Sequence, residues 1–527
     1  MTLAKQTARA VAWNQAAKIV EMVGGLAASV LLARLLAKEA YGVYGLALAT
    51  VGILALAADL GVRETFGKFL PEVAGPERRR FIVRRFLLWR LVLVTVATGV
   101  LLGGLAILAG RRATPIMAGE GHSPCALADL APYAALVAAI LAGRVVFTLF
   151  EAYSLSTLRV RGLALARIGQ TVLWIVSLVA MWRLGWWGLG PVLAVQGALV
   201  ALAALALAAA DREAFLGRVE AVPMRGVVRF GAAIWATLLV NVGVEHGIDA
   251  VLLGALASSA AEVARYTVGI ALAVSLFGFL VSATSAVYLP SLSAARAEGG
   301  PARLAEARTA YVKVMAAAVP PLALLFVLAP EILTGLYGPA YATSAPVLRV
   351  MCLALGLVAL VGGGVNANTL LVLGRSRLFF WSRLAAGTLN VAGDILLIPP
   401  WGALGAAVAT AGTIVGLHLF DLGAVRVLTG AGLPGRFLLR VCGGTGAAAT
   451  VLVLATHAGP LASGTLWHVA GASVAYAVAI VIFWALAQPL DLGDREGLAR
   501  IHPVLGRLAG PFAVRRGPVD QATRAAP

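Results

Sequence analysis

Fifty consecutive residues, 441–490, contain no Asp, Glu, Lys or Arg, and an apolar run of that length has no place in an aqueous fold. A bilayer core about 30 Å thick is crossed by roughly 20 apolar residues in a helix, so this stretch alone accommodates two crossings. The rest of the chain is built the same way: hydrophobic residues make up 61% and charged residues 13%, against roughly 25% charged in a soluble domain. Lipid offers the backbone no hydrogen-bond partner, and the apolar runs lack the alternation of a barrel strand, so the spans must be helical. The formal net charge of +18 would point to nucleic acid in a soluble protein. Here most Lys and Arg fall in every second gap between apolar runs, which is a topology signal, and no nucleic-acid partner is expected.

Apolar runs between charge clusters and Gly/Pro breaks give fourteen candidate helices, at about 11–34, 41–62, 84–109, 131–153, 166–184, 188–210, 230–254, 263–289, 311–330, 343–366, 380–398, 403–425, 437–456 and 466–487. An even count puts both termini on one side. The gap holding Arg63, Lys68, Arg78, Arg79, Arg80, Arg84 and Arg85 is the densest in positive charge. It is followed on the same side by Arg159, Arg161 and Arg167, by Arg212, Arg218, Arg225 and Arg229, and by Arg296, Arg303 and Arg308. The opposite side has mainly Arg34, Lys38, Arg111 and Arg112. That asymmetry predicts a multi-pass plasma-membrane protein with N- and C-termini in the cytoplasm. The first apolar run carries Lys18 and Glu21 and lacks a small-residue cleavage site, so it reads as a spanning helix and not a signal peptide. Cys125, Cys352 and Cys442 lie in three separate segments, which excludes a disulfide framework and a cysteine metal site.

The segment Ala40–Ala49, containing Tyr41, Gly42, Tyr44 and Gly45, resembles Glu262–Ala271, containing Tyr266 and Gly269, at an offset of 222 residues. Six candidate helices separate the copies, which predicts a duplicated architecture. The expected fold is all-α: two pseudo-symmetric six-helix lobes around a central cavity, plus two C-terminal helices. The expected boundaries are 1–211 for the N-lobe, 212–229 for a cytoplasmic linker, 230–428 for the C-lobe, 429–490 for the extra helices and 491–527 for a basic cytoplasmic tail with at most a surface helix.

Ionisable groups inside spans cost several kcal/mol unless they face a cavity or a partner, so they carry most of the functional information. The first candidate helix places Asn14, Lys18, Glu21, Gly25 and Ser29 on one face. Lys18 and Glu21 either pair structurally or line a wet cavity. The seventh repeats the device with Thr237, Asn241, Glu245 and Asp249 at steps of four, beside His246. Two carboxylates one turn apart favour a shared proton, which makes Glu245 and Asp249 a candidate ion site; the alternative is that Asp249 is simply hydrated near the outer end. The fourth candidate helix offers Arg144, Thr148 and Glu151, the eleventh Arg383, Asn390 and Asp394, and the twelfth His418 and Asp421. Arg144 either receives an anionic ligand or pairs with Glu151 or Glu245, whereas Asp394 and Asp421 read as structural.

Soluble chemistry is missing. The stretch Gly61–Phe69 looks like a phosphate loop only superficially: the glycine spacing is one too long and Phe69 stands where Ser or Thr would hold magnesium. His122, His457, His468 and His502 show no ligand spacing. Neither an enzyme nor a cofactor is expected.

Five stretches in order resemble the polysaccharide transporter branch of the multidrug/oligosaccharidyl-lipid/polysaccharide (MOP) flippase superfamily. They are Ala33–Leu36 with Tyr41–Tyr44; Asp59–Val62; Leu289–Ser293; Tyr337–Tyr341 leading to Ala345–Arg349; and Leu373–Arg375 with Asn390 and Ile398–Thr410. The resemblance implies alternating access that carries a polyprenyl-pyrophosphate-linked glycan from the inner to the outer leaflet during cell-surface polysaccharide synthesis (O-antigen lipopolysaccharide, capsule or exopolysaccharide) at a bacterial inner membrane. It also implies lipid-linked oligosaccharide and membrane lipid as partners, with a polysaccharide polymerase and glycosyltransferases acting in the same pathway. On that reading Lys18, Arg144, Asn14 and Asn241 receive the anionic headgroup, and Glu21, Glu245 and Asp249 couple transport to an ion. The rival readings are cation-coupled multidrug efflux and flipping of a peptidoglycan precursor, both of which the acidic stripes also suit.

Overall fold

The computed structural model describes residues 3–113, 126–242, 246–257, 259–458, 466–490 and 510–512. The helices are α1 (Leu3–Leu35), α2 (Lys38–Ala57), α3 (Val62–Glu72), α4 (Pro76–Ala113), α5 (Ala134–Ser156), α6 (Val160–Leu184), α7 (Leu189–Ala210), α8 (Arg225–Val242), α9 (His246–Leu256), α10 (Ala260–Ala316), α11 (Val319–Val327), α12 (Ala329–Tyr337), α13 (Ala345–Val361), α14 (Gly363–Val372), α15 (Ser376–Trp401), α16 (Ala403–Thr429), α17 (Gly435–Ala458) and α18 (Leu466–Ala487). Twelve helical stretches among the described residues are long and apolar enough to cross a membrane, so the chain is an all-helical, multi-pass membrane protein. The two other expected spans are helical as well but do not meet that measure. The seventh is described as α8 and α9, with 243–245 outside the described residues; in α15, Asn390, Asp394, Pro399 and Pro400 lower the hydropathy. The basic tail falls outside the described residues apart from Gly510–Phe512.

Two compact units partition the chain: Met1–Val268 with Arg383–Thr410, and Gly269–Ser382 with Ala411–Pro527. In the first unit, α1 packs on α6 and α5 on α7. Both seams are closed by small residues, as expected where lipid supplies no hydrophobic drive between helices. A Cβ on Gly24 would lie 2.1 Å from Thr171 of α6, and one on Gly143 would lie 3.0 Å from Val200 of α7. One end of this unit is filled by Val62, Phe66, Phe86, Phe147, Phe150 and Leu163, with Phe66 and Phe86 edge to face at 5.3 Å. The motif Asp59–Val62 is a turn. Leu60 and Gly61 both adopt left-handed φ (59° and 62°), and Asp59 Oδ1 accepts the Val62 N–H at 3.3 Å.

Arg90 is buried at 1% exposure in this unit. Its Nε donates to the Ala58 carbonyl at the C-terminus of α2 (3.1 Å) and its Nη2 to Thr148 Oγ1 (2.7 Å). A helix C-terminus leaves carbonyls unsatisfied, and a guanidinium there satisfies them with favourable charge.

The second unit uses the same device. Arg308, counted among cytoplasmic loop charges from sequence, is buried at 1% exposure. It donates to Asn366 Oδ1 (2.8 Å) and to the Gly432 carbonyl just beyond α16 (2.9 Å). It follows the break in α10 at Gly299 and Gly300; Gly300 has φ 64° and ψ −151°, a conformation open essentially to glycine alone. Tyr288, Leu292, Leu304, Met315 and Val365 pack around this turn, and α17 lies along α18.

Candidate functional site

Two charged clusters lie in the first unit. In the first, Arg167 of α6 is 8% exposed. Its Nη2 donates to Glu151 Oε1 of α5 at 2.5 Å, its Nη1 to Asn14 Oδ1 of α1 at 3.3 Å, and its Nε lies 3.6 Å from Glu21 Oε1. This corrects two sequence readings. Arg167 is not a loop charge: α6 starts at Val160, so Arg167 is two turns in and points at α1 and α5. The cation paired with Glu21 is Arg167, and Lys18 makes no ion pair among the described residues.

Glu151 takes Arg167, so Arg144 does not pair with it. Arg144 and Lys18 are both exposed and within electrostatic reach of Glu21. The sequence-predicted face of α1 is therefore real: Asn14 and Glu21 engage the Arg167 knot, and Lys18 remains available on the same helix.

The second cluster joins four helices. Asp249 of α9 is fully buried, which removes the reading of a hydrated residue near a helix end. Its Oδ2 accepts Tyr266 Oη of α10 and Thr410 Oγ1 of α16, each at 2.5 Å. Its Oδ1 accepts Asn390 Nδ2 of α15 at 2.6 Å. One turn along α15 from Asn390, Asp394 is fully buried as well, and its carboxyl is within electrostatic reach of that of Asp249. No described donor reaches either Asp394 oxygen or Asn390 Oδ1.

The described carboxyl nearest in charge to Asp249 is thus Asp394, six helices later in the chain. Glu245, assigned that place from sequence, lies outside the described residues, and Asn241 is described only as part of α8. Asp394 reads as structural from sequence because it lies close to a cytoplasmic or interhelical polar neighbour. Tyr266 and Thr410 gave no polar signal at all: Tyr266 sits in the internal echo and Thr410 closes the Ile398–Thr410 stretch. Among the described residues no three His, Cys, Asp or Glu form a transition-metal constellation. The second unit holds one further buried acid, Asp421, with Oδ2 3.8 Å from His418 Nδ1.

An unpaired charge in such a setting costs several kcal/mol. The first cluster meets that cost internally with a guanidinium. In the second, two buried carboxyls lie within electrostatic reach of each other, an arrangement that a proton or a hard cation can balance.

Residues 127–346 match a family model described as polysaccharide biosynthesis protein. No curated protein matches the chain by sequence. Among solved structures, a lipid II flippase MurJ in an inward closed conformation matches at TM-score 0.68 and 15% identity, covering 90% of this chain and 98% of its own. An inward-facing multidrug resistance MATE family transporter of the MOP superfamily matches at TM-score 0.62 and 16% identity, covering 78% of this chain and 95% of its own. Both are transport proteins. The chain is a multi-pass membrane protein that shares the fold of these two structures, and its residues 127–346 match the polysaccharide biosynthesis family model.

Proposed function

We propose that this protein flips a lipid-linked oligosaccharide, a glycan on a polyprenyl pyrophosphate, from the inner to the outer leaflet of a bacterial inner membrane, with both termini in the cytoplasm. The observation that carries ion coupling is the buried cluster of Asp249, Asp394 and Asn390, in which both Asp394 oxygens and Asn390 Oδ1 meet no described donor. A proton or a small monovalent cation neutralises it, and its arrival and departure drive the conformational cycle of the two expected lobes, 1–211 and 230–428. Glu21 and Glu245 join this coupling role, whose centre is Asp249 with Asp394, Asn390 and Thr410.

The substrate reading rests on the exposed cations. Lys18 and Arg144 are held near, but not consumed by, the Arg167 knot, so their charge is available to a pyrophosphate, and Asn14 and Asn241 are proposed to join them in receiving it. That availability favours an anionic lipid headgroup over a cationic drug. The family match to polysaccharide biosynthesis favours a glycan over a peptidoglycan precursor, and polymerase and glycosyltransferase partners follow from that pathway.

The test is reconstitution in liposomes with a labelled lipid-linked oligosaccharide, comparing wild type with Lys18→Ala and Arg144→Ala. The expected result is outer-leaflet appearance that needs the protein and slows by about tenfold in either variant, one charge-assisted contact being worth about 1.4 kcal/mol. A wild-type preparation that exchanges sodium or protons yet moves no lipid-linked glycan would reject the substrate.

A further inference from the structure

A second cationic site lies at one end of the first unit, apart from both clusters above. The α3–α4 turn, the end of α5, the start of α6 and the segment after α7 meet there around a cleft of about 200 Å³. Its walls include Arg79, Arg80, Arg159, Tyr153 and Glu213, so three guanidiniums face one carboxylate. Successive spans alternate direction, so these three connections belong to the same membrane side, the arginine-rich one.

Two of the arginines, Arg79 and Arg80, are held by backbone rather than by counter-charges. Arg79 Nε donates to the Val73 carbonyl at 2.9 Å, and Arg80 donates to the carbonyls of Glu213 (2.8 Å) and Arg218 (3.3 Å). Gly217, at φ 109°, lets the segment turn past the Arg80 guanidinium, which would lie 3.1 Å from a Cβ there. Carbonyl dipoles orient a guanidinium without neutralising it, so each keeps its charge and its remaining N–H groups for a ligand. Arg159 is the loosest. It is half exposed and stands 3.8 Å from Asp211 and 3.6 Å from Glu213, beyond hydrogen-bond length. Asp211 itself is buried and already accepts Ser154 Oγ at 2.7 Å.

We propose that this cleft binds a phosphate-bearing anion, with Arg79 and Arg159 gripping its oxygens, Arg80 fixing the wall, and Glu213 competing for Arg159. Two sources share that chemistry: the phosphodiester of an anionic phospholipid and a free diphosphate in the cytoplasm. Planar guanidiniums held at fixed angles suit either, because they present paired N–H groups to paired oxygens.

The experiment uses the full-length protein in phosphatidylcholine nanodiscs. One arm titrates inorganic pyrophosphate by calorimetry; the other adds phosphatidylglycerol and measures its retention by native mass spectrometry. Wild type is expected to take one of the probes, and which one identifies the source. Arg79→Ala with Arg159→Ala is expected to weaken that binding by about tenfold, the loss of one strong charge-assisted contact. Glu213→Gln is expected to tighten it by about threefold, because Arg159 is released from its competitor. A misfolded variant cannot produce that gain. Binding of neither probe by wild type, or a Glu213→Gln variant that binds no more tightly, overturns the proposal. Neither readout involves transport, so this result stands or falls apart from the flippase assignment.

Discussion

The Arg167 knot and the Asp249–Asp394 cluster lie in one unit; the first sets two partly exposed carboxylates around a buried guanidinium, the second buries two carboxyls, and they differ in what balances the charge. Arg167 meets Glu151 at 2.5 Å and Glu21 at 3.6 Å, so that cluster is complete within the chain. Asp394 meets another carboxyl, and its oxygens find no described donor. The first is a fastener between α1, α5 and α6, and on the proposed function the second receives a positive charge from solution. The deciding quantity is whether the protein itself supplies the counter-charge.

Opposite signs on mutation are the sharpest way to break this contrast. Glu151→Gln strands a buried guanidinium and is expected to destabilise the protein by about 3–5 kcal/mol, read as a large fall in thermal unfolding temperature in detergent. Asp394→Asn relieves a like-charge pair and is expected to raise that temperature, by an increment on the order of 1 kcal/mol. Destabilisation by both changes would erase the distinction.

The next effect is on transport. Asp249→Asn is expected to reduce ion-driven flipping by about 100-fold, equivalent to about 2.7 kcal/mol, while the Arg167 knot stays intact. Cation addition then sharpens the identity of the ion. Sodium at about 100 times its dissociation constant should stabilise wild type by about 2.7 kcal/mol and leave Asp394→Asn unmoved. If lowering the pH stabilises wild type and sodium does not, the coupling ion is the proton.

Thr410→Val removes one of the three donors to Asp249. It is expected to weaken cation response by about 1 kcal/mol, or roughly fivefold, in the same unfolding assay. The smallest effect belongs to an exposed pair. Arg78 donates to Glu220 and holds its carboxyl below the ordinary value of 4.5. A depressed carboxyl adds stability above its ordinary pKa and loses it as the pH falls through the folded value. Because both partners are about half exposed, Glu220→Gln should leave the unfolding temperature at pH 7 almost unchanged, and the acid side of the stability curve should flatten only slightly.

The spans were legible because each is a local property: twenty apolar residues between charge clusters must be helical in lipid wherever the rest of the chain goes. The stretches 230–254 and 380–398 were found from sequence as helices even though their polar residues weaken the apolar signal. The face of α1 that carries Asn14, Lys18 and Glu21 was legible for the same reason, since side chains three and four apart share a side of a helix.

The charge partners were not legible. Arg167 and Arg308 looked like loop cations because sequence shows only that each follows a gap, and not that the helix or turn beyond it folds the side chain inward. Asp249 pointed to a neighbour on its own helix, whereas the fold supplied Asp394 from α15. The chain alone determined an all-helical membrane protein, its crossings and the polar residues worth questioning, since hydrophobicity and helical periodicity act over a few turns. Only the tertiary structure decided which of those polar residues meet and whether their charges cancel, because Coulomb and hydrogen-bond energies depend on distances between residues that sequence separation does not encode.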